Sequence, residues 1–269
     1  MAKNSTRPTV LTVAGSDSGG GAGIQADLKT FAAHDTYGVS AITAVTAQNT
    51  LTVSAVDAVS CSVIEAQISA VFEDFDIRSM KTGMLLNAEI VDAVCGALES
   101  RATPPVVVDP VMFSTSGDQL LDDEAVAIVR KRLLQHARVV TPNRAEAEVL
   151  ADLKIESFQD ARLATSRIRA LGANAVVITG GHFDGLHMTD LLDDMGTLIE
   201  FSGPKIDSLS THGTGCTFAA SIAAELARET PLIDAVRKAK RYVEGAIRHA
   251  EPIGNGKGPL NHFWQNERQ

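Results

Sequence analysis

Apolar and polar positions alternate between two periods along this chain. Thr9-Val10-Leu11-Thr12-Val13-Ala14 is continuous and β-branched, the signature of a strand buried on both faces. Runs of the same kind recur at Val39–Ala47, Ile77–Leu85, Pro105–Pro110, Arg138–Asn143 and Ala175–Gly181. Between them, apolar residues repeat at helical spacing. Ile24, Leu28 and Phe31 mark one helix, and Ile64, Ile68, Val71, Phe72 and Phe75 mark another. Ile90, Val91, Val94 and Leu98 follow an Asn87 cap, and Val126, Val129 and Leu133 follow Asp122 or Asp123. A further helix starts near Arg144. Ser157 and Asp160 form a capping-box start to the next, which ends at Leu171-Gly172. Asp193-Asp194-Met195-Gly196 reads as a hairpin turn. Phe218, Ile222 and Leu226 mark the next helix; Val236, Ala239, Val243 and Ile247 mark the last, with Thr230 expected as its cap and Pro231 as its first residue.

Strand and helix alternate six or more times, which predicts one α/β domain over residues 1–269 with a mostly parallel central sheet and helices on both faces. Residues 1–8 are expected to be a flexible N-terminus. In such a sheet the carboxyl ends of the strands converge on one crevice. They carry Asp17, Gln48, Lys81, Asp109, Asn143 with Glu146, and Gly180-Gly181. Asp17, set among glycines, is expected to face a ligand.

The stretch Thr211-His212-Gly213-Thr214-Gly215-Cys216-Thr217 adds a second kind of group. Two alternate glycines precede a helix with no acidic residue before Glu225. Backbone N–H groups there would form an anion hole, strengthened by the helix dipole. Cys216 at its mouth is expected to have a lowered pKa. A plain glycine turn into a packed helix fits the local sequence equally well, because the lysine of a P-loop is missing. The glycines of Gly15–Gly23 do not match the dinucleotide fingerprint, which disfavours a nucleotide-dependent oxidoreductase.

Composition narrows the partners. A formal net charge of −9 argues against a nucleic-acid backbone, and 4% aromatics leave no stacking platform for single strands. The three cysteines are far apart, so neither a disulfide framework nor a zinc knuckle is expected. No signal-peptide or membrane-spanning pattern is expected either, which makes the cytoplasm the predicted compartment.

Several motifs together carry a resemblance. Ala14-Gly15-Ser16-Asp17 with Gly21-Ala22-Gly23-Ile24-Gln25-Ala26-Asp27, then Thr46-Ala47-Gln48-Asn49-Thr50, Lys81-Thr82-Gly83-Met84 and Asp109-Pro110-Val111-Met112 stand in order. They continue through Thr141-Pro142-Asn143-Arg144-Ala145-Glu146, Gly180-Gly181-His182, the 211–217 stretch and Gly256-Lys257-Gly258-Pro259. Over nearly its whole length the chain resembles the hydroxymethylpyrimidine/phosphomethylpyrimidine kinases of the ribokinase-like fold. The resemblance implies ATP-dependent phosphorylation of 4-amino-5-hydroxymethyl-2-methylpyrimidine and of its monophosphate, in thiamine biosynthesis. It implies Mg2+ at Asp109 and Glu146, and a catalytic anion hole at Gly213, Thr214, Gly215 and Cys216. Cys216 would be the general base, or would only contact the substrate. Gly15, Asp17, Ala22, Gln48, Met84, Val111 and Cys216 would form the substrate pocket, with Gln48 pairing the aminopyrimidine edge. Lys81, Asn143, Thr179, Gly181, Thr211, Gly213 and Gly215 would contact ATP. Without the resemblance, Glu146 and Lys81 read more readily as solvated charges, and Gln48 can be a strand-end hydrogen bond.

The chain also departs from the family pattern: Thr179 stands where relatives often have lysine, and Ser210 where Asn or Asp is commoner. Family members commonly form homodimers. Pyridoxal kinases of the same branch are the nearest rival, but they typically carry a lid cysteine after D-P-V-M, and Met112–Gly117 has none. A non-catalytic pyrimidine or nucleotide sensor is the other rival.

Overall fold

The architecture comes from a computed structural model that describes residues 7–113, 120–181 and 187–266. The expected flexible N-terminus falls largely on residues 1–6, outside the described residues; Pro8 is tied to the sheet, its carbonyl accepting from the Tyr37 amide. Nine strands form one sheet among the described residues. In chain order they are β1 (Thr9–Asp17), β2 (Tyr37–Gln48), β3 (Val53–Ala58), β4 (Ile77–Thr82), β5 (Val106–Val108), β6 (Ala137–Val140), β7 (Ala175–Gly181), β8 (His187–Asp194) and β9 (Thr197–Pro204). Their spatial order is β3-β2-β1-β4-β5-β6-β7-β8-β9. The six strands from β2 to β7 run parallel, and β3, β8 and β9 are antiparallel additions at the two edges.

The continuous apolar runs predict this because a parallel sheet is covered on both faces. Alternate residues of one strand enter different cores. Leu11 and Val13 pack with Ile64, Ile68, Ile90 and Ile168, whereas Val10 packs with Phe31, Phe218 and Val236. The first core lies under α2 (Cys61–Asp74), α3 (Ala88–Glu99), α4 (Asp123–Lys131), α5 (Arg144–Ala151) and α6 (Phe158–Ala170). The second lies under α1 (Gly23–Ala33), α7 (Thr214–Ala227) and α8 (Leu232–Arg248).

Local signals hold where they were strongest. Asn87, Asp122 and Ser157 cap their helices through the side chain, and Ser157 with Asp160 forms a full capping box. The hairpin turns at Met195 (φ 52°) and Gly196 (φ 95°), the left-handed pair that suits the strand twist. Thr230 is not the cap of α8: Pro231 holds that position, and the Thr230 hydroxyl donates to Glu225 at 2.7 Å instead. The edge strand β3 had no counterpart in the sequence pattern, since Val-Ser-Ala-Val-Asp-Ala is largely exposed and does not alternate.

The chain leaves β1 for β2 on one side and continues from β4 on the other. That reversal of strand order is where an open α/β sheet leaves a crevice beyond its carboxyl ends.

Candidate active site

Strand β1 ends in Asp17, and its carboxylate gathers the glycine loop around itself. Oδ1 accepts from the Gly19 amide at 2.7 Å, and Oδ2 from Gly21 at 3.0 Å and Ala22 at 2.8 Å. The Nε2 of His212 lies 2.9 Å from the same Oδ2. Burial alone would raise the Asp17 pKa, but the His212 and amide hydrogen bonds outweigh it and hold the carboxyl below its usual range. Asp17 therefore organises the loop as well as lining the cavity that the loop borders.

Across the crevice, α7 starts from Gly213 in a left-handed conformation (φ 84°). A β-carbon there would overlap the Gly21 carbonyl oxygen, so only glycine fits. The first turn of α7 carries no acidic side chain. The amides of Gly215 and Cys216 lie beyond reach of the helix's own carbonyls, as first-turn amides do. Gly215 faces open space, with nothing within 4 Å of where its β-carbon would be. Backbone donors are thus presented at the cavity wall, as the glycine spacing predicts.

Beneath them lies a buried charge cluster. Lys81 Nζ is 3.0 Å from Asp27 Oδ1 and 3.7 Å from Asp109 Oδ2, and Thr12 donates to Asp27 at 2.6 Å. Lys81 is wholly buried and does not line the cavity. Burial would lower its pKa, but Asp27 reverses that and keeps the ammonium charged. Lys81 is therefore a buried counter-charge, not the solvated or phosphate-reaching lysine that the sequence suggested.

Cys216 also departs from expectation. Burial pushes its thiol up to about 12; Lys81 opposes the shift, while Asp109 and Asp27 add to it. The helix dipole is too weak to offset desolvation beside two carboxyls, and the group rests as a thiol.

Asp109 and Glu146 are both raised. Burial brings Asp109 to about 6 against the pull of Lys81. Burial and then repulsion from Asp109 bring Glu146 to about 7. Glu146 and Asn143 form a capping box at the start of α5, and Glu146 Oε1 accepts from the Met112 amide at 3.0 Å. Asp109 Oδ2 is buried without a hydrogen-bond partner. The chain between them passes through Val111 at φ 32°, a strained angle for a β-branched residue.

These parts surround one cavity of about 260 Å³. It is lined by Gly15, Asp17, Ala22, Gln48, Met84, Val111 and Cys216 of the expected substrate set, and by Asp109 and Glu146. Asn143, Thr179, Thr211, Gly213, Thr214 and Gly215 line it too. Lys81 does not; the Gly181 backbone pairs with Thr189 in the sheet. His182 and most of the lid expected at Met112–Asp118 lie outside the described residues, while Phe113 and Leu120 line the cavity. Sequence reasoning missed Thr46 and His212, although both sit inside motifs already singled out.

The chain is similar to known proteins over nearly its whole length. The chain is 49% identical over 94% of its length to a hydroxymethylpyrimidine/phosphomethylpyrimidine kinase of Rhizobium meliloti, covering 96% of that protein. It is 47% identical over 96% of its length to the thiamine biosynthesis bifunctional protein ThiED of Geobacter sulfurreducens, and spans only 52% of that longer protein. Among solved structures, the phosphomethylpyrimidine kinase of Clostridium difficile superposes with a TM-score of 0.81 at 41% identity, covering 90% of this chain and 100% of that one. The pyridoxal kinase of Bacillus subtilis, solved as an ADP complex, superposes with a TM-score of 0.90 at 35% identity, covering 97% and 99%. The family model for phosphomethylpyrimidine kinase matches residues 17–261, and the chain belongs to that family.

Proposed function

We propose that this protein transfers phosphoryl groups from ATP to 4-amino-5-hydroxymethyl-2-methylpyrimidine and then to its monophosphate, in thiamine biosynthesis. The observation that carries this reading is one cavity lined both by Gln48, which can pair an aminopyrimidine edge, and by the anion hole with its two acidic neighbours. Phosphoryl transfer asks a protein mainly for positioning and charge stabilisation. The amides of Gly215 and Cys216 stabilise charge on the transferred group. Gly15, Ala22, Met84 and Val111 pack around the ring. Asn143, Thr179, Thr211, Gly213 and Gly215 take the nucleotide. The relatives' names support the substrate class, and the ADP complex of a structural neighbour supports the nucleotide.

Mg2+ fits the residues present. Asp109 has a buried oxygen without a hydrogen-bond partner, and burial holds protons on both carboxyls more tightly than usual, a state that a divalent cation would reverse. Asp109 and Glu146 would hold the ion, with phosphate oxygens and water supplying further hard oxygen ligands. When bound it neutralises phosphate charge. Lys81 fixes the charge around Asp109 from below. Cys216, resting as a thiol, contacts the substrate hydroxyl instead of acting as its base.

Among the described residues no helix is long and apolar enough to cross a membrane. The reading places the protein in the cytoplasm, where ATP is made and three unpaired cysteines stay reduced. It also makes the protein a homodimer, because the β3 edge leaves Val45, Leu51 and Val56 exposed. Light scattering that returns the mass of a monomer would contradict this.

The function is tested by Mg2+-dependent ADP release, with the hydroxymethylpyrimidine and pyridoxal side by side. The pyrimidine should be the better acceptor. A preference for pyridoxal, or binding without ADP release, overturns the reading in favour of a pyridoxal kinase or a sensor respectively.

A further inference from the structure

Beyond its hold on Asp17, His212 touches both sides of the pocket. Its amide donates to the Gly258 carbonyl at 3.0 Å, and its ring is packed against Gly21, where a β-carbon would overlap it. Its Nε2 faces Asp17 Oδ2 at 2.9 Å and the Gln48 amide nitrogen at 3.4 Å. Asp17 already accepts three backbone N–H groups, so it is ionised and can only accept. Nε2 therefore carries a proton and donates it to Asp17. A nitrogen that donates there has no lone pair left for the Gln48 N–H.

The other flank of the amide is Thr46. Its Oγ1 lies 3.0 Å from the Ser16 carbonyl and 3.2 Å from Gln48 Oε1. The hydroxyl has one proton, and the Ser16 carbonyl can only accept it. Thr46 then offers Gln48 a lone pair. Both neighbours ask for the same orientation of this isosteric amide: oxygen toward His212, nitrogen toward Thr46.

We propose that His212, held by Asp17, is a positioning residue that fixes which way the Gln48 amide faces. The pocket then presents an acceptor on the His212 side and a donor on the Thr46 side. Resting on the function proposed above, this selects heterocycles with an exocyclic N–H donor beside a ring nitrogen acceptor. The 4-oxo analogue of the pyrimidine reverses that pair and is rejected. A two-point hydrogen-bond reader of this kind discriminates by about 10- to 100-fold.

The test compares KM for the 4-amino and 4-oxo pyrimidines in the wild type and in His212→Phe. The variant should lose at least about tenfold of the amino preference, with KM for ATP changed by no more than about twofold. An unchanged preference overturns the role of His212. A wild type that turns over neither pyrimidine instead contradicts the function on which the proposal rests. Nitrogen NMR of histidine-labelled wild type needs no variant: Nε2 of His212 should carry a proton at neutral pH, and a bare Nε2 overturns the proposal.

Discussion

Lys81 Nζ lies 3.0 Å from Asp27 Oδ1, with both side chains wholly buried. Such a pair is weak evidence for stability, because desolvation offsets most of the attraction. Removing one partner is a different matter, since it strands the other charge. Lys81→Met should lower the unfolding free energy by about 3–5 kcal/mol. Lys81→Met with Asp27→Leu should recover most of that loss, without recovering turnover, because Asp109 still lacks its counter-charge. Denaturant unfolding checks both, and a single variant as stable as wild type would contradict this account of the cluster.

The two glycines of the anion hole should behave differently. Gly213 has a left-handed backbone pressed on the Gly21 carbonyl, whereas Gly215 faces open space. Gly213→Ala should displace the first-turn amides and cut kcat by about 100-fold, the usual cost of losing one such donor. Gly215→Ala should fold with wild-type stability and act through the space it fills, raising KM for substrate or ATP. Equal effects from the two substitutions would mean the amides are not where the charge develops.

The thiol of Cys216 can be titrated directly. Its pKa is pushed up to about 12, mainly by burial. The difference in ultraviolet thiolate absorbance between wild type and Cys216→Ser should stay near zero through neutral pH and grow only toward that value. Thiolate absorbance from Cys216 near neutral pH would restore the general-base role.

Glu146 ties stability to pH with a defined sign. Its pKa rises from an ordinary 4.5 to about 7 on folding, so the folded protein keeps a proton that the unfolded chain releases. This contribution is complete below 4.5 and is lost as pH rises through about 7. Glu146→Gln should flatten that part of the stability profile. Mg2+-dependent ATP binding runs the other way and should strengthen over the same window, as both carboxyls ionise. Calorimetry across the window checks both slopes, and an unchanged stability profile in Glu146→Gln would contradict the assignment.

Much of the fold is legible in local patterns, because burial on both faces writes itself as continuous apolar runs. The caps at Asn87, Asp122 and Ser157 and the turn at Met195-Gly196 are local too. The residues misjudged are those whose partners lie far along the chain. Lys81 looked solvated because Asp27 stands 54 positions away. The hold on Asp17 was not visible either, because its loop closes back on it and His212 comes from 195 positions on. Cys216 was read from a local dipole, and the desolvation that outweighs it belongs to the assembled site. Strand β3 is an exposed edge, which leaves no apolar period to detect.

The most direct measurement is the mass of the product formed from hydroxymethylpyrimidine with excess ATP and Mg2+. The account predicts two phosphoryl groups added in succession, with the monophosphate as an intermediate that is consumed. A product that stops at one phosphoryl, or pyridoxal phosphorylated in preference to the pyrimidine, would contradict it.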